Sequence, residues 1–200
     1  MPFQNRVDPF SHIHAVSARG LFTGNRGILH DAKTHTLKKQ SWATDGWVIC
    51  ALKHKDWQAP IMGPGHWTEL FFFDEAVALA AGHRPCHTCR RKAARAFLKA
   101  AGFSSAAVLH SAINAEMKPV LRVHNPATRQ TCSPCDLPDG AFFAVGDAAY
   151  LKHREAAYRF SWSGYGPPEP LPKRALRLTP EITCKALANG YIPQLHSSLR

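Results

Sequence analysis

Cys86 and Cys89 stand three positions apart in Ala80–Phe97, AAGHRPCHTCRRKAARAF, between an apolar run and a dense basic one. A Cys-x-x-Cys turn brings two sulfurs to about 3.5–4 Å, one edge of a tetrahedral zinc–sulfur site. The flanking cations favour the thiolate form that ligates a metal. Disulfide exchange uses the same spacing, but normally at a helix N-terminus that follows a strand in a βαβ unit. Here the preceding segment reads as helix and no βαβ pattern surrounds it. Zinc is therefore the favoured reading, with redox chemistry and inert thiols as the alternatives.

A zinc ion needs further ligands, and the chain offers two sets. Cys132 and Cys135, in TCSPCDLPDG, would complete a CxxC…CxxC pattern, although 42 residues separate Cys89 from Cys132. That gap is longer than the ~15–20 residues usual in zinc ribbons. The other set is Cys50, in WVIC, with His30, in GILHD. A mid-strand cysteine is otherwise a small core residue, and Cys184 reads as one.

Other polar clusters carry weaker signals. Asn25 and Arg26, flanked by glycines in GNRGILHD, suit a phosphate cradle or an ordinary turn. His110, Asn114, His124 and Asn125 have residue types found in His-Asn-His metal nucleases. Glu69, Asp74 and Glu75 lie close together, but Asp74 is better placed as a helix cap. Trp42, Trp47, Trp57 and Trp67 share a basic stretch with Lys38, Lys39, Lys53 and Lys55, which suits base stacking or a tryptophan-rich core. Arg90, Arg91, Lys92, Arg95 and Lys99 follow the thiol turn. An apolar stripe of Ala94, Phe97 and Leu98 would turn these cations outward together.

Bulk charge agrees with a polyanionic partner. The 200 residues hold 25 Lys and Arg against 14 Asp and Glu, a net charge of +11. Such an excess favours DNA or RNA through phosphate contact, which needs no motif. No apolar run reaches the ~20 residues of a membrane helix. The start, MPFQNRVDPFSHIHAV, lacks the apolar core of a secretory signal. The expectation is a cytoplasmic protein with reduced thiols and no membrane partner.

The elements that must position these groups can be read from pattern. Gly20, Gly24 and Gly27 punctuate short strands, Gly46–Lys55 and Trp67–Phe73 read as strands, and Asp74 caps a two-turn helix stopped by Gly82. A helix begins at Arg90, and a weaker one covers Ser104–Glu116. KPVLRVHNP, from Lys118, reads as strand, and Leu137–Gly166 as a β-meander with turns at Pro138–Gly140, Gly146–Asp147 and His153–Glu155. GPPEPLPKR reads as a proline-rich loop. Thr179-Pro180 opens a last helix that ends at Gly190. ALAAGHRPC at Ala78 and ALANGYIPQ at Ala186 echo each other, as two glycine-stopped helices would. The expected fold is α+β, mostly antiparallel. A zinc-stapled strand–helix–turn–helix unit spans Trp67–Ala101, and a helix closes the C-terminal meander. Two regions, 1–103 and 104–200, would pack as one domain.

The stretch TELFFFDEAVALAAGHRPCHTCRR resembles the second half of the metal-binding module of the bacterial alkylation-response Ada family. It has the strand ending in Phe, the short Ala-rich helix, then Gly, a ring, Arg-Pro-Cys-x-x-Cys and basic residues. The resemblance implies that Cys86 and Cys89 are zinc ligands. In place of that family's upstream Cys-x-x-x-Cys, this chain has Cys50, with His54 four residues on and His30 earlier. The chain also resembles, along its length, a family of uncharacterised bacterial proteins, through MPFQNRV, GLFTGNRGILHD, WVIC, AGHRPCHTCRR, LPDG and the closing GY-x-P. These stretches contain His30, Cys50, Cys86 and Cys89 but not Cys132 or Cys135, which implies a mixed Cys/His site. The expected function is zinc-organised binding of DNA or RNA through Arg26, Arg90, Arg91, Lys92, Arg95 and Lys99. The alternatives are an enzyme on nucleic acid, either a metal nuclease or a zinc-thiolate alkyl acceptor, and a structural zinc module that recruits a protein.

Overall fold

Six short strands form the first sheet: β1 (Arg6–Val7), β2 (Ile13–His14), β3 (Phe22–Asn25), β4 (Val48–Ala51), β5 (Leu70–Phe72) and β6 (Arg84–Pro85). The computed structural model describes residues 1–54, 60–123 and 129–199. The strand order is β2-β1-β5-β3-β4-β6, with β1/β5 and β4/β6 parallel and the other pairs antiparallel. Gly24 is required here by close approach rather than by a turn. A Cβ on it would lie 2.0 Å from the Val48 carbonyl oxygen on the neighbouring strand.

The second sheet holds β7 (Thr131–Cys132), β8 (Phe142–Val145), β9 (Ala148–His153), β10 (Ala156–Ser161), β11 (Gly164–Glu169) and β12 (Ala175–Arg177). Its order is β11-β10-β9-β8-β12-β7, and every pairing is antiparallel. The expected meander is strands β8 to β11. β11 continues through Pro167 and Pro168, where the sequence reads as loop. It can do so because it lies at the sheet edge, where a missing N–H breaks no ladder.

Among the described residues, four α-helices complete an α+β fold with two mostly antiparallel sheets: α1 (Glu75–Ala80), α2 (Arg91–Ala101), α3 (Ala106–Val123) and α4 (Glu181–Ala188). α1 packs on both β5 and β8, so it joins the two sheets. All six of its residues are buried, and its alanines let the strands approach from both sides. The Asp74 side chain caps it by accepting from Val77 N at 3.0 Å. Gly82 stops it at φ 80°, where a Cβ would also meet Met117 at 2.7 Å.

α3 corrects one expectation: Lys118 to Val123 is helix, not strand. Met117, Val120 and Leu121 lie on one helical face and are buried, so tertiary packing overrides the proline at 119. The final helix also starts one residue later than read. Pro180 occupies the cap position, and Thr179 Oγ1 accepts from Phe142 N instead. A single connected core includes residues from Val7 to Tyr191, drawn from both sheets and all four helices. No single helix among the described residues is long and apolar enough to cross a membrane.

Candidate metal centre

Pairing on the two sides of β4 assembles a three-cysteine cluster. Cys50 stands opposite Thr23 on β3. On the other side β6 runs parallel, with Ile49 beside Pro85. Cys86 N–H donates to the Ile49 carbonyl at 2.9 Å, which extends that pairing one residue beyond β6 and delivers Cys86 next to Cys50. The chain then turns: Arg90 N–H donates to the Cys86 carbonyl at 3.0 Å, and Cys89 ends the turn just before α2. The three sulfurs lie within 4.8 Å of one another. Sulfurs bound at ~2.3 Å to one tetrahedral ion would be about 3.8 Å apart, so a small contraction closes this set on a metal. Cys50, Cys86 and Cys89 are thus near enough to hold one ion.

Backbone N–H groups already point at the sulfurs. Thr88 N–H donates to Cys86 Sγ at 3.3 Å. The Cys89 amide also reaches Cys86, and the Ala51 amide reaches Cys89. The Cys86 thiol is pulled down to about 4, first by the hydrogen bond from Cys50 and then by these amides. Cys50 is pushed up, because it donates to Cys86 and is largely buried. Burial also raises Cys89. The cluster therefore favours the thiolate at Cys86 over the other two sulfurs.

Arg84 is the counter-charge that sequence reading missed. It is 5% exposed, and its Nη1 donates to the Pro85 carbonyl at 2.9 Å. Burial lowers it to about 10, and the Cys86 and Cys50 sulfurs act in the opposite direction. Three thiolates around a divalent ion would leave one net negative charge, which this buried guanidinium would offset. The signal was in Arg-Pro-Cys itself: a residue two before a ligand, on a two-residue strand, must lie close to the site.

The remaining candidate ligands are elsewhere. His30 is buried beside Thr68 Oγ1, 2.7 Å from Nδ1, and the Gly63 carbonyl, 3.3 Å from Nε2. It is not part of the metal-competent group, which corrects its place in the expected ligand set. Cys132 and Cys135 are also outside that group: Cys132 pairs with Ala175 in the second sheet, and Cys135 is exposed. Cys184 is pushed up to about 12 by burial and remains a core thiol.

Of the expected phosphate contacts, Arg26 is corrected, and Arg90 already has a partner. Arg26 is 1% exposed, with its guanidinium over the Trp47 ring and Nη2 donating to the Ala81 carbonyl. A group this deep cannot meet a phosphate in the folded chain. Arg90 makes a bidentate pair with Glu75, at 2.8 and 2.9 Å, and lies over the Phe22 ring. Glu75 additionally accepts from Tyr191 OH and from Gln194 N, so this carboxylate ties α2 to the C-terminal segment.

Arg91, Lys92, Arg95 and Lys99 do share the outer face of α2, and all four are exposed. Ala94 and Phe97 are buried, and Leu98 is half-buried. None of the four cations forms an ion pair with the described residues. A groove of about 1170 Å3 runs along this helix, with Arg91, Lys92 and Lys99 on one side and Asn189, Ile192 and Gln194 on the other; Cys89 is in its lining.

No family model, curated protein or solved structure matches this chain. Of the remaining clusters, Asn114 Nδ2 donates to the Asp45 carbonyl, and burial lowers His110 to about 4; His124 and Asn125 lie outside the described residues. Trp47 is core, Trp42 packs against it, and Trp57 and Lys55 are likewise outside the described residues.

Proposed function

We propose that this chain is a zinc protein, acting in the cytoplasm, that binds DNA or RNA along the outer face of α2. The observation that carries the reading is the meeting of two features at one place. A cluster of three thiols sits at the root of α2, and the exposed face of that helix bears Arg91, Lys92, Arg95 and Lys99 without carboxylate partners among the described residues. Zinc is the ion that an all-sulfur, tetrahedral-type set favours, because thiolates are soft donors and zinc needs no redox chemistry. The Arg-Pro-Cys-x-x-Cys resemblance to the Ada family supports the same ion. Bound there, zinc would fix the turn from which α2 departs and hold its cations in one orientation. Three protein thiolates leave a tetrahedral ion one position for water or another small ligand.

Phosphate contact of this kind is salt-dependent. Each phosphate neutralised adds about 0.9 to the slope of log K against log salt on duplex DNA. Replacing Arg91 and Arg95 together by Ala is expected to weaken binding and flatten that slope by about 2, with the fold intact, because exposed alanine suits a helix. Binding isotherms over a salt series measure it. Unchanged slopes, or no binding to either nucleic acid at moderate salt, would remove α2 as the contact surface.

A further inference from the structure

A second group of ligand-type side chains lies on the β1–β2 hairpin. The pairings Arg6↔His14 and Val7↔Ile13 leave residues 8 to 12 as the connecting loop. Asp8 N–H donates to the His12 carbonyl at 3.1 Å, and Ser11 N–H donates to the Asp8 carbonyl at 3.0 Å. Ser11 adopts φ 77° to close this loop. The outcome is that His12 and His14 both face the Asp8 carboxylate.

That carboxylate divides its two oxygens. Oδ1 accepts from His12 N–H at 2.9 Å and is thereby oriented. Oδ2 stands 2.8 Å from His14 Nε2 and 3.6 Å from His12 Nδ1. All three ligand atoms fall within 4.8 Å of one another. Oxygen and nitrogen donors bound at about 2.0–2.2 Å to one ion stand about 3–3.5 Å apart, so small adjustments of the 2.8 and 3.6 Å separations would close the set on an ion. Both rings thus bring a nitrogen to the same carboxylate oxygen, close enough for the three groups to share an ion.

The surroundings fit a site entered from solvent. The His12 and His14 side chains are 43% and 39% exposed, whereas Asp8 is 12% exposed. Phe10 stacks on His12 with ring centroids 6.1 Å apart, and Trp162 meets His14 edge-on at 5.6 Å. Both rings are therefore held by neighbours outside the cluster. Trp162 belongs to the turn between β10 and β11, so the site lies where the second sheet touches the first hairpin.

We propose that Asp8, His12 and His14 form a second metal site that binds one divalent transition cation through two imidazoles and a carboxylate. Its nitrogen and oxygen donors suit Zn2+, Co2+ or Ni2+, and differ from the all-sulfur set at Cys50, Cys86 and Cys89. Three ligands leave further positions for water, the arrangement of a reactive rather than a purely structural centre.

Cobalt separates the two sites by colour. The protein as isolated is dialysed against Co2+, total bound cobalt is measured, and the cobalt bound to sulfur is counted from the thiolate-to-cobalt charge-transfer absorption. Whether or not cobalt replaces the metal at the cysteines, total cobalt should exceed sulfur-bound cobalt by one ion per chain. His12→Ala and His14→Ala should each weaken that extra ion by about 100-fold or more, since even loss of an outer partner costs about 10–100-fold. The charge-transfer absorption should not change in either variant. The proposal is overturned if bound cobalt never exceeds the sulfur-bound count. It is equally overturned if both histidine variants keep the extra ion at wild-type affinity.

Discussion

The two ligand clusters are of similar size, but the chain holds them in opposite ways. Cys50 and Cys86 are 36 positions apart and meet only because β6 docks beside β4. Asp8 and His14 are six positions apart on one hairpin. The first cluster is a product of the tertiary fold, so a metal bound there must feed its binding energy back into that fold. The second is set up locally, within one hairpin of the first sheet. Range of contact, more than ligand chemistry, decides what each cluster means for stability.

The largest test of that contrast is Cys86→Ala. It should abolish metal binding at the sulfur site and lower Tm by more than about 10 °C, because structural zinc contributes on the order of 10 kcal/mol of apparent binding energy in small modules. Metal analysis and thermal melting read both effects, and chelation of the wild type should reproduce the drop. A variant with unchanged melting would show that the thiols do not staple the fold.

Next in size is the choice of sulfurs. Cys50→Ser should lose the sulfur-bound ion, whereas the pair Cys132→Ser and Cys135→Ser should keep it, since among the described residues only Cys50 joins Cys86 and Cys89. Metal content after gel filtration decides it. The reverse result would make Cys50 a core residue and require the second-sheet turn to swing across to the first.

The smallest effect concerns histidines near each cluster. His14 is raised by its hydrogen bond to Asp8. His83 and His110 are lowered, by burial first and by Arg26 or Arg84 next. Both are neutral in the folded chain. The unfolded chain takes up protons below its ordinary histidine range, near 6.5, while the native His110 resists until about 4. Stability from these groups is complete above pH ~6.5 and is lost as pH falls toward 4. For His110, discounted because the residue is only part-buried, the loss near pH 5.5 is on the order of 1 kcal/mol, or about 2–4 °C. Melting curves of His110→Asn should fall less steeply with acid than wild type, and parallel curves would break the assignment.

Local signals were legible in the sequence, and long-range ones were not. The Asp74 cap, the Gly82 stop and the Cys-x-x-Cys turn depend on neighbours within a few residues, and each is where the pattern puts it. The echo between the ends of α1 and α4 is also local: Gly82 and Gly190 take φ 80° and 89°. The sequence groups Cys50 with Cys86 only through the family resemblance; spacing cannot show it, because the meeting depends on β6, a two-residue strand too short to carry a pattern. Arg26 looked like a phosphate contact because glycines flank it, but its neighbours in space are Trp47 and Ala81, which spacing does not reveal. His12 and His14 sit two apart, the spacing that puts side chains on one face of an extended chain. Their partner Asp8 became visible only once the hairpin register was known.

Glu75 has a consequence for how the chain is made. Its carboxylate is buried and shared by Arg90, Tyr191 and the Gln194 amide, partners that lie up to 119 positions downstream. During synthesis from the N-terminus, residues 1–100 leave the ribosome with only one of these partners available. A buried carboxylate short of donors is costly. The thiol turn and α2 should therefore remain in exchange with open forms until residues 191–194 emerge and dock. Metal capture and completion of the Glu75 network become late, coupled events in biogenesis, and a nascent chain halted near residue 150 should hold its ion more loosely than the released protein.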